Sequence, residues 1–370
     1  MESWIFYCTC AFICAFIIAL LATPACKLLA WQTGFLDTPA AEVHKGHKKA
    51  TPLLGGLAMC TAFCCTIILG VIVAVRWHGE PIATYLNGMR ESFPELLAVV
   101  AGAIAAMVWG AIDDKTPMKA STKFLGQLFI SAFIVIVGGI RITFFIDNIW
   151  ISCIGTIFWF LFMFNALNFF DNMDGLAAGT AAIAFLFFGV ASMVNGQFFV
   201  ALLCFTAAAS TCGFWVYNAA PASIFMGDSG SHFLAFLLSV VSAKVTYYNP
   251  AVASTRFAIL IPLFILAVPV FDAFAVVVIR LKNHKPIYKG DHNHISHRFW
   301  HSGMTRARAV QLVHLLVLIS SLGALPLLWG EWRTCMVLLI QGIAILLLLS
   351  VMQYVGIRAN SKNQNPPEQN

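Results

Sequence analysis

The sequence predicts an all-α integral membrane protein, a polytopic bundle of about eleven transmembrane helices. Hydrophobic residues make up 60% of the 370 residues and charged residues only 10%. The mean hydropathy of +0.84 is far from the balance of a soluble domain. Eleven apolar stretches are also long enough to cross a bilayer, which takes about twenty residues per helix.

The apolar stretches follow one another with short connections. They cover residues 3–23, 53–75, 95–112, 122–140, 149–170, 175–194, 197–217, 231–247, 256–280, 308–329 and 335–357. The first stretch lacks the basic segment and cleavage site of a removed signal peptide, so we expect a retained helix. The connections leave no room for a separate soluble domain. We therefore expect one transmembrane domain over 1–357 and a polar, disordered tail at 358–370.

The basic residues predict the orientation, because cytoplasmic loops carry an excess of Lys and Arg. Sixteen of the 22 Lys and Arg residues belong to one alternating set of loops, at 24–52, 113–123, 171–174, 218–230 and 281–307. This count includes Arg280 and Arg308, which border the last loop, and the two basic residues of the tail. This places the N-terminus outside and the C-terminus inside. The same partition puts six acids on the cytoplasmic side: Asp113, Asp114, Asp171, Asp174, Asp228 and Asp291. Since the acids were not used to assign the topology, they indicate a cytoplasmic site.

Two adjacent carboxylates, Asp113 and Asp114, end the third apolar stretch. In a continuing helix they would point about 100 degrees apart. At a frayed helix end both could reach one cation, or one could bind it while the other takes a proton. The alternative is an ordinary acidic loop neutralised by Lys115 and Lys119.

The segment NALNFFDNMDG at 165–175 places polar side chains three residues apart at the end of an apolar stretch. We expect the helix to end near Asp171, with Asn165 and Asn168 lining its inner wall and Asp171 and Asp174 turned towards a cavity. Unpaired carboxylates at this depth cost several kcal/mol unless something compensates them. The alternative, Asn-mediated packing with a capping Asp, explains one of these residues better than all four.

The segment MGDSGS at 226–231 presents Asp228 at the start of a helix. The flanking glycines permit a sharp turn, and Ser229 or Ser231 could cap the helix. A helix amino terminus also suits anions. A plain helix cap is the alternative reading of this segment.

A loop at 288–309 concentrates four histidines and three arginines. In a helix, His294, His297 and Arg298 would share one face, and their donors suit phosphate oxygens. The alternative is a juxtamembrane basic patch that holds anionic lipid.

Together these clusters predict phosphoryl transfer at a membrane surface. Crowded carboxylates repel unless a cation joins them, and Asp and Asn oxygens are the ligands of Mg²⁺ or Mn²⁺. A metal of this kind bridges phosphates, while the basic loop would hold a second anionic group.

The motifs in their order resemble the polyprenyl-phosphate N-acetylhexosamine-1-phosphate transferases, that is, glycosyl transferase family 4. They are VHKGHKKATPLLGG (43–56), DDK (113–115), NALNFFDNMDG (165–175), MGDSGS (226–231) and HNHISHR (292–298). The last loop looks like that of the bacterial undecaprenyl-phosphate GlcNAc-1-phosphate transferases. The resemblance implies transfer of a sugar phosphate, most simply GlcNAc-1-phosphate, from a UDP-N-acetylhexosamine to undecaprenyl phosphate, with release of UMP. It implies an enzyme of the bacterial inner membrane that initiates a cell-envelope polysaccharide.

The resemblance also implies roles for single residues. Asp113 would keep the lipid phosphate ionised or orient it, with Asp114 beside it, and Asp228 would bind Mg²⁺ with help from Asp114. Asp171 and Asp174 would shape the nucleotide pocket, supported by Asn165 and Asn168. The residues expected to contact phosphate or sugar are Lys49, Lys123, His294, His297 and Arg298. Membrane lipids are further partners, no nucleic acid is expected, and a homodimer stays open.

Two departures from the family pattern stand out. Asn172 replaces the first glycine of Asp-Gly-x-Asp-Gly, and we expect it to adopt the left-handed backbone region, which Asn tolerates. In the basic loop, Ser296 stands where the family has His, and His292 stands where Arg is common. The departures leave the chosen sugar open.

Three alternatives remain. Phospho-MurNAc-pentapeptide transfer belongs to the same superfamily. A cation-coupled transporter would place its acids near the bilayer midplane and show repeats. A CDP-alcohol phosphotransferase would need its acids in one Asp-Gly-x-x-Ala-Arg pattern.

Asp272, inside an apolar stretch, has either a supporting role at the site or a structural hydrogen bond.

Overall fold

The computed structural model describes residues 2–38, 50–76, 82–142, 148–245, 256–286 and 293–364. Within these ranges the chain is nearly all helical, as its composition predicts. The elements are α1 (Glu2–Thr33), β1 (Leu36–Asp37), β2 (Thr51–Pro52), α2 (Gly55–Arg76), α3 (Ile82–Lys115), α4 (Ala120–Ile136), α5 (Ile149–Phe170), α6 (Leu176–Val194), α7 (Phe198–Asn218), α8 (Gly227–Lys244), α9 (Ile261–Ile265), α10 (Ala267–Lys282), α11 (Ile295–His301), α12 (Arg306–Ala324) and α13 (Trp332–Gln364).

Eight helices in the described ranges are long and apolar enough to cross a bilayer, and the bent pair α9 and α10 would form a ninth span. The two other predicted spans correspond to α4, which has 17 residues, and to α8, which opens on a polar turn. The number of eleven and the orientation of the termini therefore stay predictions. Large apolar side chains face outwards, such as Phe129 and Ile136 at 75% exposure each. This surface suits lipid and indicates a multi-pass membrane protein.

The stretch predicted as a single span at 256–280 is broken. A 3-10 helix (Arg256–Leu260) leads into α9, and α10 then departs at an angle of 70°. Pro269 causes the break, because in a continuous helix its ring would clash with the carbonyl of Ile265. The break gives α10 its own direction, separate from that of α9.

Helix α8 lies at the centre of the bundle. Its residues 229–242 are all buried, and it packs against α2, α3 and α5. Glycines permit the close approach: a Cβ on Gly110 of α3 would lie 2.2 Å from the Asp228 carbonyl oxygen, and a Cβ on Gly56 of α2 would lie 2.3 Å from the Gly230 nitrogen. The first turn of α8 is thereby held between α2 and α3.

The segment before α2 is bonded to the segment before α8. Strands β1 and β2 pair antiparallel, with Leu36 opposite Pro52. The Phe225 N–H donates to the Pro52 carbonyl at 2.8 Å, and the Gly55 N–H donates to the Phe225 carbonyl at 3.1 Å. These bonds fix the position of the segment that leads into α8.

The last helix is longer than the sequence suggests. Helix α13 continues to Gln364, so the expected tail at 358–370 overlaps it over seven residues, 358–364. Residues 365–370 lie outside the described ranges.

Candidate active site

Asp113 and Asp114 lie in the last turn of α3 and make different contacts, as their adjacent positions predict. Asp113 accepts the Met118 N–H at 2.7 Å and pairs with the Lys123 ammonium at 2.8 Å. Asp114 accepts the N–H groups of Asp228 at 2.7 Å and of Ser229 at 2.9 Å, one on each carboxylate oxygen. Asp114 therefore caps α8 from another helix, with its carboxylate oxygens at the positive end of the helix dipole.

The start of α8 depends on Gly227. Its φ of +66° is in the left-handed region, and a Cβ there would lie 2.5 Å from an Asp114 carboxylate oxygen. The expectation that Ser229 or Ser231 caps the helix is wrong. Their hydroxyls donate to the carbonyls of Met226 and Asp228 instead, because Asp114 already accepts the exposed N–H groups.

Asp228 lies between a lysine and an asparagine. The Lys123 ammonium, already paired with Asp113, makes a short contact with Asp228 Oδ2 and lies 3.3 Å from Asn168 Oδ1. The Asn168 amide donates to Asp228 Oδ1 at 2.6 Å and to the Ser231 hydroxyl at 3.1 Å. The structure thus brings together four of the predicted site residues, three of them carrying charge, at one end of the bundle.

A buried polar chain supports this group and includes two residues that the sequence reading missed, Gln127 and His232. The Asn165 amide donates to Gln127 Oε1 at 3.0 Å, and Gln127 Nε2 lies 3.0 Å from His232 Nε2. His232 Nδ1 lies 2.7 Å from the Asp228 carbonyl oxygen, so Nδ1 carries the proton and Nε2 accepts from Gln127. The sequence spacing could have indicated both residues, because His232 is one helical turn beyond Asp228 and Gln127 is one turn beyond Lys123.

Helix α5 ends at Phe170, as predicted, and Asp171 follows it. Within the described ranges the Asp171 carboxylate has no hydrogen-bond or ion-pair partner. Burial, followed by repulsion from Asp228, Asp114 and Asp174, raises the pKa of Asp171 to about 8. This carboxylate faces a site with an excess of negative charge.

Asp174 has a structural contact. Its Oδ2 accepts the Ala222 N–H at 3.0 Å, in the segment that joins α7 to α8. Next to it, Gly175 has a φ of 74°, and its N–H donates to Asn218 at 3.1 Å. One oxygen of Asp174 therefore holds the connecting segment, whereas the sequence reading turned the whole group towards the cavity.

The basic loop forms the short helix α11, and Asp272 of α10 holds its start. Asp272 Oδ1 accepts the Ile295 N–H at 2.7 Å, and Oδ2 lies 2.6 Å from His294 Nδ1. His294 is thus the residue before the helix and is turned towards Asp272, so the shared helical face predicted for it with His297 and Arg298 is not formed. Of the two readings of Asp272, the structural hydrogen bond is confirmed, and it acts on a predicted site residue.

His297 and Arg298 lie within α11 and are 8% and 5% exposed. Arg298 Nε donates to the Asn293 carbonyl at 2.8 Å, and the His297 ring lies 6.1 Å from that of Trp300. A bond from Ser296 to Asn172, at 2.5 Å, brings this helix beside the acidic turn after α5. The acidic and basic clusters therefore meet, while predicted site residue Lys49 lies outside the described residues.

The carboxylates of the site differ in how far their oxygens are already bonded. Over the part of the chain that the structure describes, no group of three or more His, Cys, Asp or Glu side chains could hold a metal ion. Both oxygens of Asp114, a predicted ligand, accept backbone N–H groups. Asp171 has no such partner among the described residues, and the Asp228 carboxylate contacts side chains only, those of Lys123 and Asn168. Asp171 and Asp228 are therefore the carboxylates of the site that no backbone bond occupies among the described residues, and they suit Mg²⁺, which is commonly bound by one or two carboxylates together with water and substrate phosphates.

Several known proteins are similar to this chain. Residues 96–246 match glycosyl transferase family 4. A protein of Bacillus subtilis (strain 168), named probable undecaprenyl-phosphate N-acetylglucosaminyl 1-phosphate transferase, is 33% identical over 325 residues, 86% of this chain and 84% of that protein. A decaprenyl-phosphate N-acetylglucosaminephosphotransferase of Mycolicibacterium smegmatis is 30% identical over 91% of this chain and 86% of its own. A phospho-N-acetylmuramoyl-pentapeptide-transferase of Geobacillus kaustophilus is 32% identical over 62% of this chain and 72% of its own.

Proposed function

The chain belongs to glycosyl transferase family 4, and on this premise we propose that it transfers GlcNAc-1-phosphate from UDP-GlcNAc to undecaprenyl phosphate. The observation that carries the proposal is the group of Asp113, Lys123, Asn168 and Asp228 at one end of the bundle, next to a helix with buried His and Arg. The Bacillus subtilis relative is named a probable undecaprenyl-phosphate N-acetylglucosaminyl 1-phosphate transferase, and the Mycolicibacterium smegmatis relative is named for N-acetylglucosaminephosphate transfer with decaprenyl phosphate. The product is the lipid-diphosphate sugar that initiates a cell-envelope polysaccharide.

The reaction exchanges the partners of a pyrophosphate bond. An oxygen of the lipid phosphate forms a bond to the sugar-linked phosphorus, the bond from that phosphorus to the bridging oxygen breaks, and UMP leaves with the electron pair. Direct attack suffices, because positioning and charge stabilisation account for phosphoryl transfer without a covalent enzyme intermediate.

Lys123 is the cation best placed to contact a phosphate on the acidic side of the site. It is held between Asp113 and Asp228, which fix its position and maintain its charge. In this proposal Asp113 orients the lipid phosphate through Lys123, and Asn168 orients Asp228 through its amide.

Asp171 and Asp228 would hold Mg²⁺, or Mn²⁺ in its place. When bound, the ion supplies positive charge to the phosphate oxygens. Asp114 contributes indirectly: it caps α8 and so keeps the Asp228 backbone in place. Asp174 holds the segment on the other side of the turn.

The basic side of the site would bind the donor diphosphate. His297 and Arg298 offer donors whose geometry suits phosphate oxygens. His294 contacts Asp272 through Nδ1, which leaves Nε2 as the nitrogen available to the donor. Lys49 remains a proposed phosphate contact from its motif position.

We place the site on the cytoplasmic face of the bacterial plasma membrane. The excess of Lys and Arg in the loops that carry the acids supports this side, and UDP-sugars are cytoplasmic substrates in this proposal. The clustering of the acids at a helix end, away from mid-span, argues against a cation-coupled transporter.

The partial match to a phospho-N-acetylmuramoyl-pentapeptide-transferase makes UDP-MurNAc-pentapeptide the second candidate donor. Purified protein would be given undecaprenyl phosphate, Mg²⁺ and UDP-GlcNAc, UDP-GalNAc or UDP-MurNAc-pentapeptide, and UMP release measured. We expect release with UDP-GlcNAc, lost in Asp228→Asn and kept in the control Glu91→Gln, whose side chain is exposed on α3. Release with the pentapeptide donor alone would assign the second activity, and no release with any donor would contradict the proposal.

A further inference from the structure

The hydrogen bond between Ser296 and Asn172 connects the two halves of the site. The Ser296 hydroxyl donates to Asn172 Oδ1 at 2.5 Å, across 124 residues of sequence. Ser296 is fully buried, so water does not compete for this bond.

Asn172 is fixed at the other end of the bond. Its Nδ2 donates to the Phe169 carbonyl at 3.1 Å, in the last turn of α5. The amide group is therefore used on both sides, towards α5 and towards α11. Asp171 and Asp174 flank it in the same turn.

The backbone gives no other reason for Asn at this position. The expectation that Asn172 adopts the left-handed region is wrong: the one described residue other than glycine with positive φ is His284, and in this turn Gly175 supplies it. The side chain of Asn172, and not its backbone freedom, is what the turn uses.

Helix α11 is thus held at three successive residues. Asp272 of α10 binds His294 and the Ile295 N–H, and Asn172, in the turn after α5, binds Ser296. The next two residues are His297 and Arg298, whose placement follows from these bonds. Of the three anchored residues, Ser296 is the one bonded to the acidic turn.

We propose that Asn172 and Ser296 form a positioning pair that sets the separation between the acidic turn at 171–174 and the phosphate-binding groups of α11. The inference rests on the proposed function, because that function assigns Mg²⁺ and the lipid phosphate to the acidic side of the site and the donor diphosphate to the basic side. Neither residue touches the reacting atoms; both act through their neighbours. Asn172 and Ser296 are two of the three positions at which the sequence departs from its family pattern, and the structure bonds them to each other.

The test is a double-mutant cycle in the UMP assay, with Ser296→Ala, Asn172→Ala and both together. Loss of one buried hydrogen bond is expected to lower kcat/KM for the UDP-sugar about tenfold. Because the bond needs both partners, the double variant is expected to lose no more than the poorer single variant. KM for undecaprenyl phosphate is expected to stay within about twofold, which a general loss of structure would not produce.

The matched control is Ser302→Ala. It removes a serine hydrogen bond at the other end of the same helix, from Ser302 to the Phe299 carbonyl at 2.7 Å, that joins no second element. Its kcat/KM is expected to match that of the unsubstituted protein.

The second cycle, Asn172→Gly with Ser296→His, exchanges the side-chain volume lost at one position for volume gained at the other. This double variant is expected to be more active than either of its single variants.

Additive losses, about a hundredfold in the alanine double variant, or an undiminished Ser296→Ala would overturn the inference. So would a double variant of the second cycle that is no better than its poorer single variant. If the unsubstituted protein releases no UMP, the proposed function fails, and the cycle is then measured in the affinity for UDP. There, coupled losses in the alanine cycle support the pair and additive or absent losses refute it.

Discussion

Replacing Asp114 distinguishes most sharply between two interpretations of its carboxylate, a metal ligand and a helix cap. The sequence predicted a metal ligand, whereas the structure gives a carboxylate with each oxygen occupied by a backbone N–H of α8. If Asp114 is a cap, its replacement weakens the protein even without metal. If it is a ligand, its replacement changes only the need for metal.

The expected size follows from the two hydrogen bonds. A buried hydrogen bond contributes about 0.5–1.5 kcal/mol, and up to about 3 kcal/mol when its acceptor is charged, so Asp114→Ala removes about 1–6 kcal/mol before any gain from lower repulsion with Asp228. Asp114→Asn keeps one acceptor and turns an NH₂ group towards the second N–H, so about half of that loss is expected. The exposed acid Glu91 on the same helix serves as the control, in Glu91→Gln.

The assay is thermal unfolding in detergent with EDTA. We expect unfolding temperatures in the order Glu91→Gln, equal to the unsubstituted protein, then Asp114→Asn, then Asp114→Ala, lower by on the order of 5 °C or more. An Asp114→Asn protein as stable as the unsubstituted one in EDTA, with an increased Mg²⁺ requirement for activity, would refute the capping argument and restore the ligand.

Three further predictions concern the same site. Gly227→Ala is expected to lose more stability in thermal unfolding than Gly34→Ala. Both glycines have positive φ, where a side chain costs about 1–2 kcal/mol, but a Cβ at Gly34 meets nothing within 4 Å. Equal losses in the two variants would contradict the clash with Asp114. Asp272→Ala is expected to raise KM for the UDP-sugar about tenfold or more, because two hydrogen bonds at the start of α11 are lost; an unchanged KM would separate His294 from donor binding. The pKa of Asp171, raised to about 8, means that the folded protein keeps a proton which the unfolded chain releases near pH 4. Stability in EDTA is therefore expected to fall as the pH rises towards about 8, and Asp171→Asn is expected to flatten that decline; an equally steep decline in the variant would argue against the raised pKa.

The sequence was sufficient for the local features of the fold and site. Apolar length and composition predicted the helices, the polar spacing at 165–174 predicted the helix end at Asp171, and Gly227 predicted the sharp start of α8. These features depend on neighbouring residues, so a local pattern contains them. The break before α10 was also readable, since Pro269 cannot continue a helix from α9.

The contacts between distant elements were not readable from sequence. The bond from Asp114 to the Ser229 N–H spans 115 residues, and that from Asp272 to His294 spans 22. Which carboxylate caps a helix, and which has no partner among the described residues, depends on packing, here on the glycines that bring α3 against α8. For this reason Asp114 was expected to be a ligand and Asp272 could not be assigned.

The central claim is that the bond broken lies between the two phosphates of the donor. It is tested most directly with UDP-GlcNAc carrying ³²P in the phosphate next to the sugar, given to the protein with undecaprenyl phosphate and Mg²⁺. We predict label in the lipid fraction, in an amount equal to the unlabelled UMP released. Label that stays in water-soluble UDP while sugar enters the lipid would show cleavage at the sugar carbon and contradict the account.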